Sequence, residues 1–506
     1  MTEDWGQGYV TDVEYVAGYF ISQSPHILAL ACLINGVAVD APWDNPHLHY
    51  LELGCGRGLN ACVLAASNPG WRVTGIDFTP SAVADARRVA AAAGLDNITF
   101  IEADLAHFAR SAEAAALPAA DVISAHGVWS WVADPVRAGI VRLAASHLRA
   151  GGLLHLSYNA LPAQQSMLAM QRVMRETGRR LAGRSDQQAA AGRAVVAQLA
   201  AANARHLTST EMVRDLIGDL DGMAVAYLAH EYMNDTWRPC FHADVAADLR
   251  AAKLDYAGSA RLVENFADLM LTPEQRAIHD RFDDPLVREL VVDTCINRTL
   301  RHDVYVRGAS RLSTAARDAA LGRVHLALAT EPGKFRYVLQ MPAGEATLNE
   351  ASYRPMVAAL AEGPRSIADL IAARGAMAEP ANYAEIAMVM AGTYQALVTS
   401  RPGAPPDARA QRFNRVQAGR DLRLDNLNAT SAMASTRLGT GYPCRAIEAL
   451  VASRIGPDGT PPDPASLAAE ILPPGPARDE FARVLQTVLT DRLEVWRGLG
   501  IVEKEK

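Results

Sequence analysis

The sequence predicts an α/β chain whose first part is a doubly wound parallel sheet and whose carboxyl half is mostly helical. Three observations carry that expectation. Short apolar runs alternate with alanine-rich amphipathic stretches from residue 49 to residue 159. The first three runs each end at or near an acid, Glu52, Asp77 and Asp104. The first run is followed at once by glycines at alternate positions, Gly54, Gly56 and Gly58. Strands and helices alternating at this spacing build a parallel sheet, with ligands beyond the carboxyl ends of its strands.

Each element has its own signal. HYLELG reads as a short buried strand and GCGRGLNACVLAAS as a tight turn feeding a helix. Glycine weakens regular structure because it has the most backbone freedom to lose on folding, so a cluster of it implies a close approach by the backbone itself. WRVTGID is a second strand, ending in Asp77. The helix FTPSAVADARRVAAAAG then opens on Thr79, a good N-cap, and Pro80, a good first helical residue. NITFIEADL is a third strand, ending in Asp104. ADVISAHGVWSWV reads as a fourth, and GGLLHLSYN as a fifth after a helix from about 134 to 149.

Bulk properties narrow the class. With 506 residues, 50% hydrophobic and 21% charged, the chain can bury several cores, three or four units by length alone. A net charge of −7 argues against a nucleic-acid partner. The six cysteines show no CxxC or paired spacing, which reads as reduced cytosolic thiols. The acidic amino terminus is no signal peptide, and no apolar run approaches the ~20 residues that span a bilayer. The expectation is a cytoplasmic protein with no membrane segment.

The acids identify the ligand. The order E-L-G-C-G-R-G is not the dinucleotide pattern G-x-G-x-x-G, whose pyrophosphate seeks helix N–H groups. S-adenosylmethionine has no pyrophosphate and offers an ammonium instead. Glu52 can fix that ammonium while Gly54 and Gly56 let the backbone pass under methionine and ribose, with Asn60 on the following helix completing this end. Asp77 can accept both ribose hydroxyls, Phe78 can flank the adenine, and Asp104 can take its exocyclic amine beside the Leu105 amide. This ordered set resembles the class I S-adenosylmethionine-dependent methyltransferases, which implies a Rossmann-like fold with S-adenosyl-L-methionine as cofactor and S-adenosyl-L-homocysteine as product.

A narrower resemblance lies in AHGVWSWV (125–132) and SYNALP (157–162). These are similar to the HGVYSWV and SYNxxPG signatures of bacterial methyltransferases with a methyltransferase regulatory domain, a group that includes rickettsial-type protein-lysine methyltransferases. YFISQSPHILALACLINGV and HEYMNDTWRPCFHADVAADLRAAKLDYAGSA (230–260) agree with that group. Trp129 stands where tyrosine is usual, and Ala163 where glycine is preferred. Over roughly the first 310 residues the resemblance implies a catalytic domain at 1–163, a helical segment at 164–236 that serves as cap or homodimer contact, and a middle or regulatory domain at 237–307. Beyond it, strands and helices near 333 to 418 suggest a carboxyl-terminal winged-helix-like region at 308–506. The helices of that last region are rich in alanine and acid, which again argues against nucleic acid.

Methyl transfer is an in-line displacement at a sulfonium carbon, so alignment and desolvation outweigh acid catalysis. The expected acceptor pocket comprises His126, Trp129, Tyr158 and Asn159, with Trp131 in the core. His126 also borders the cofactor, and Tyr15, Tyr19 and Gln23 fold over it as a lid. The histidines have no ligand spacing, so no metal is expected, and Cys55 and Cys62 read as packing residues. The expected function is N-methylation of a side chain, lysine favoured, in a protein or peptide. The alternatives are an N- or O-methyltransferase that tailors a ribosomal peptide or natural product, and a non-catalytic cofactor-binding scaffold.

Overall fold

The computed structural model describes residues 6, 8–14, 18–181, 183–375, 380–424 and 426–504. At its centre lie seven strands: β1 (His49–Leu53), β2 (Arg72–Asp77), β3 (Ile98–Glu102), β4 (Ala120–Ala125), β5 (Leu148–Asn159), β6 (Leu254–Ser259) and β7 (Leu300–Arg307). They stand in the order β3-β2-β1-β4-β5-β7-β6. The first five pair in parallel, whereas β7 runs antiparallel to both β5 and β6. The expected all-parallel sheet is therefore a mixed one. Residues 237–307, expected as a unit of their own, supply its last two strands.

All five residues of β1 are buried, as a central strand covered on both faces requires. On one face lie α1 (Pro25–Ile34), α2 (Leu59–Ser67) and α3 (Pro80–Ala93), packed in one core with Tyr50, Val122, Leu153 and Val304. The opposite face holds α4 (Asp134–His147) and the helix His242–Leu249, with Leu51, Ile123, Leu154 and Tyr305. Two elements are shorter than expected. β4 stops at Ala125, and Trp129–Trp131 is a 3₁₀ turn rather than strand. Asp104 lies past β3 and caps the short helix Leu105–Phe108, accepting the Ala106 amide at 2.8 Å.

α1 and α2 are buried on every side. A helix apolar all round needs partners all round, and the carboxyl-terminal region provides them. Helices Thr314–Gly322 and Tyr383–Ala387 pack on α1. That region holds a three-stranded antiparallel sheet of β11 (Arg365–Ser366), β8 (His325–Leu328) and β12 (Ala396–Thr399), and a hairpin of β9 (Val338–Met341) and β10 (Gly344–Thr347). A second hairpin, β13 (Thr430–Ser435) and β14 (Thr440–Arg445), lies on α2, where Ser67 Oγ donates to the Thr440 carbonyl at 3.0 Å. The middle strand β8 precedes helices Glu350–Ala361, Ile367–Ala373 and Tyr383–Ala387 in the chain. Ile386 to Ala391 are buried against the rest of the molecule.

Residues 167–232 form a helical annex with its own core of Met170, Met174, Val196 and Leu228. α5 (Met167–Arg180) and α6 (Ser185–Ala201) approach so closely that a Cβ on Gly178 or Gly192 would strike the other helix's backbone carbonyl. α7 (Val225–Tyr232) lies across both. No helix among the described residues is long and apolar enough to cross a membrane.

Candidate functional site

A cavity of about 1130 Å³ opens at the carboxyl ends of the strands. Its walls are the glycine loop, the ends of β2 and β5, the segment after β4, the amino-terminal strap 8–14, and α5 and α7. The expected residues Glu52, Gly54, Gly56, Asn60, Asp77, Phe78, Asp104, Leu105, His126, Gln23, Tyr158 and Asn159 all border it. Tyr19 and Trp129 do not.

The glycine loop shows two different needs for a missing side chain. Gly54, Gly56 and Gly58 have φ of +68°, +51° and +74°, which favours glycine at all three. A Cβ on Gly54 would strike Val128, and one on Gly58 would lie 2.7 Å from Phe100. Beside Gly56 a Cβ would meet nothing within 4 Å. Gly54 and Gly58 thus serve packing, and Gly56 alone leaves an open face toward the cavity.

The acids are fixed from the backbone. Asp77 accepts the Gly56 amide at 2.8 Å and the Thr79 amide at 2.9 Å, so the end of β2 holds the loop after β1. Burial raises the Asp77 pKa. Glu52 is buried with one modest donor, Asn60 Nδ2 at 3.2 Å, and burial pushes its pKa up to about 8. The buried Asn60 Oδ1 has no partner among the described residues. A buried carboxylate short of donors beside an unpartnered amide oxygen fits an ammonium group, which supplies three N–H donors and a positive charge. Glu52 and Asn60 would hold the methionine end of S-adenosylmethionine, with Gly56 beneath it and Asp77, Phe78 and Asp104 along the nucleoside.

The strap closes this region. Tyr9 meets Phe78 edge-on at 5.8 Å, His230 Nε2 pairs with the Val13 carbonyl at 2.9 Å, and the Asp235 amide donates to the Gly8 carbonyl at 2.7 Å. The expected lid is corrected here. Tyr19 turns away, its buried hydroxyl donating to the Gly441 carbonyl at 3.3 Å and sharing a bond with Thr440 at 3.0 Å. Phe20 occupies the cavity wall instead, stacked on His126 with centroids 3.9 Å apart. Gln23 is a fixed wall residue, its Oε1 accepting from Ser124 Oγ at 3.0 Å. Tyr15 lies outside the described residues.

The expected acceptor side differs in three residues. Trp129 is fully buried, with the Arg137 guanidinium 5.5 Å from its ring centre, while Trp131 faces the cavity and stacks on Trp237 at 6.0 Å. The strand alternation that put Trp131 in the core fails because W-S-W is a 3₁₀ turn. Tyr158 reaches the cavity border, but its hydroxyl donates to Asp303 at 2.6 Å beneath the opposite face of the sheet. Burial raises its pKa far above the usual phenol range, and its one hydroxyl hydrogen is engaged by Asp303 rather than aimed into the cavity. Asn159 stays on the cavity, its Oδ1 accepting Trp237 Nε1–H at 3.1 Å. Burial lowers the His126 pKa to about 3.

Sequence reasoning missed Glu231. It stands on α7, partly buried in the cavity wall, and has no hydrogen-bond or ionic partner among the described residues. Burial raises its pKa to about 7. Tyr227, one turn earlier, borders the same cavity. The sequence offered only an acid in a helix, and nothing there aims it at a strand end 180 residues away. The ground for expecting no metal also fails, since the fold brings His126, His155 and His302 together from three separate strands or strand ends.

Residues 51–154 match a methyltransferase domain, and residues 224–307 a predicted methyltransferase regulatory domain. An uncharacterized protein of Synechocystis sp. is 29% identical over 459 residues, 88% of this chain and 87% of that relative. An uncharacterized protein of Rickettsia prowazekii is 31% identical over 144 residues, 28% of this chain and 24% of that relative. The solved structure of PKMT2 from Rickettsia typhi in complex with AdoHcy has the same fold, with a TM-score of 0.70 over 96% of this chain and 99% of that one, at 14% identity.

Proposed function

From the premise that the chain is an S-adenosylmethionine-dependent methyltransferase, we propose that it N-methylates a cationic side chain, lysine favoured, in a protein or peptide of the cytoplasm. Glu231 carries the reading. It is an unpartnered carboxylate in a cavity also lined by Trp131, Tyr227 and Trp237. Aromatic faces hold an ammonium by about 0.5–2 kcal/mol each, and the carboxylate supplies the counter-charge. A neutral hydroxyl acceptor could also give its proton to Glu231 but would gain no cation–π attraction from the three rings.

Bound S-adenosylmethionine supplies an electrophilic methyl group on a sulfonium sulfur. The chain's own residues have three tasks. Glu52, Asn60, Gly56 and Asp77 hold the donor; the strap and Phe20 exclude water; Glu231 takes the proton that the amine must shed. A free lysine has a pKa of ~10.4 against about 7 for Glu231. That gap of about 3 units is about 4–5 kcal/mol; taking the amine out of water narrows it, against the opposing pull of the rings and the carboxylate. Trp131 and Asn159 orient the incoming side chain, and His126 is the wall between the donor and Phe20.

The PKMT2 likeness in fold supports a macromolecular acceptor. We also infer that the helical annex is a homodimer contact, supported by the exposure of Leu168, Leu181 and Leu199 on its outer faces; sedimentation velocity of the full chain tests it. The function is tested with tritium-labelled S-adenosylmethionine in a fractionated lysate of the source cell, with Asp77→Ala as the donor-site control. Label in a protein or peptide, lost in Asp77→Ala and mapped to an amine, supports the proposal. Label confined to small molecules favours the tailoring enzyme. Donor binding without any transfer favours the scaffold.

A further inference from the structure

Three imidazoles meet on the face of the sheet that carries α1. His126 follows β4, His155 lies within β5, and His302 is on β7, the strand supplied by the segment matching the regulatory domain. One ring nitrogen from each lies within 4.8 Å of the others. Their ring centres form a near-equilateral triangle with sides of 6.0, 5.3 and 5.8 Å, and the ring planes are within 25° of parallel. The point equidistant from the three centres is about 3.3 Å from each; a zinc–nitrogen bond of about 2.0–2.1 Å plus about 1.1 Å from nitrogen to ring centre covers nearly the same distance.

Hydrogen bonding does not account for the cluster. Among the described residues, His126 Nδ1, His155 Nε2 and His302 Nδ1 are all buried without a partner, although buried polar atoms are rarely left so. The tautomer of His155 is set by its neighbour. Ser124 Oγ gives its one hydrogen to Gln23 Oε1 at 3.0 Å, so it accepts from His155 Nδ1–H at 3.0 Å. That leaves the lone pair on Nε2. A hydroxyl that fixes the far nitrogen of an imidazole is the support a metal ligand ordinarily has. Burial lowers the pKa of His126 and His155 to about 3 and that of His302 well below the usual value, so all three are neutral near pH 7. Nearby charges offset one another, with Asp303 acting on His155 and His302, and Arg261 on His126 and His302.

We propose that His126, His155 and His302 bind a divalent transition-metal ion of the zinc class, joining the parallel strands to the strand that the regulatory segment adds. Imidazole donors suit zinc, copper, iron and nickel, and three of them leave a coordination position open. His126 borders the cavity, so the fourth ligand is a water or an acceptor atom from that side.

The full chain, stripped with a chelator and dialysed, is titrated with Zn²⁺ or Co²⁺ and its metal counted by mass spectrometry. The expected result is one equivalent per chain with a raised Tm, retained in His325→Ala and lost in His302→Gln and His155→Asn. Both variants are first checked for S-adenosylhomocysteine binding, which a folded chain keeps. X-ray absorption on the zinc-loaded wild type counts imidazole nitrogens directly, so it decides the matter even if both variants fail to fold. Three imidazoles support the site. No bound metal, a shell without imidazole, or full retention in both folded variants overturns it, and an ordered water then fills the triangle.

Discussion

Asp77 Oδ2 accepts the Gly56 amide at 2.8 Å. The acid that ends the second strand therefore holds the loop that leaves the first, and the same carboxylate faces the cavity where a ribose would lie. One carboxylate thus both shapes the loop and lines the cavity.

The glycines of the loop separate these two roles. Gly56→Ala adds a methyl to open space at φ +51°, at a cost of about 1–2 kcal/mol. It is expected to leave the chain folded while weakening S-adenosylhomocysteine binding by calorimetry at least about tenfold, or about 1.4 kcal/mol. Gly58→Ala drives a methyl into Phe100 and Ala86. Its expected signature is a lower Tm.

Glu52 sets a pH dependence whose sign follows from its raised pKa, about 8 against 4.5. Below about 4.5 the folded and unfolded chains are both protonated here. As pH rises toward 8 the unfolded chain ionises and the folded one does not, so ligand-free stability falls across that window. An ammonium beside Glu52 reverses this. S-adenosylhomocysteine should therefore bind more tightly as pH rises from 6 to 8, with proton release visible as buffer-dependent calorimetric heats. Glu52→Gln should remove the dependence.

Glu231 predicts a pH-rate limb. Transfer to a lysine peptide should rise through about pH 7, where Glu231 ionises. Glu231→Gln should lose that limb and about 10²-fold in kcat/KM, with donor affinity unchanged. A retained limb would assign the proton to another group.

The two tryptophans should part company. Trp129→Ala empties a buried site and is expected to cost about 3–5 kcal/mol in denaturant unfolding. Trp131→Ala should leave stability near wild type and raise the peptide KM by about three- to tenfold.

Tyr158→Phe tests the opposite face. Removing the hydroxyl that donates to Asp303 should lower stability by about 1–3 kcal/mol, with kcat within about threefold of wild type. A loss of kcat at unchanged stability would return Tyr158 to the acceptor site.

The strand-end wall of the cavity was legible because it is local: acids at strand ends and glycines in a turn are set by a few neighbouring residues. Glu52, Asp77 and Asp104 all border the cavity. The acceptor end was not, for two reasons. Strand alternation was carried past Ala125 into a segment that turns as 3₁₀, which exchanged Trp129 for Trp131. The histidine triangle joins residues 29 to 176 positions apart, and Glu231 meets Trp131 across 100 positions, and no periodicity encodes that. The antiparallel β7 was hidden in the same way, since INRTLRHDVYVRG mixes charge into a buried strand. Arg301 and Asp303 there neutralise each other at 2.9 Å.

The pairing of β5 with β7 also sets the order in which the molecule can be made. A ribosome that has released residue 163 has delivered five strands but not the two that cover the open side of β5. Until about residue 307 emerges, that strand presents unpaired backbone groups to whatever is nearby. Pairing two strands some 140 residues apart carries a loop-closure penalty before it yields any contact, so this edge should close late in refolding. A truncation at 163 would not isolate a catalytic domain; it would expose an adhesive edge. The shortest fragment expected to resist edge-to-edge aggregation therefore extends beyond β7.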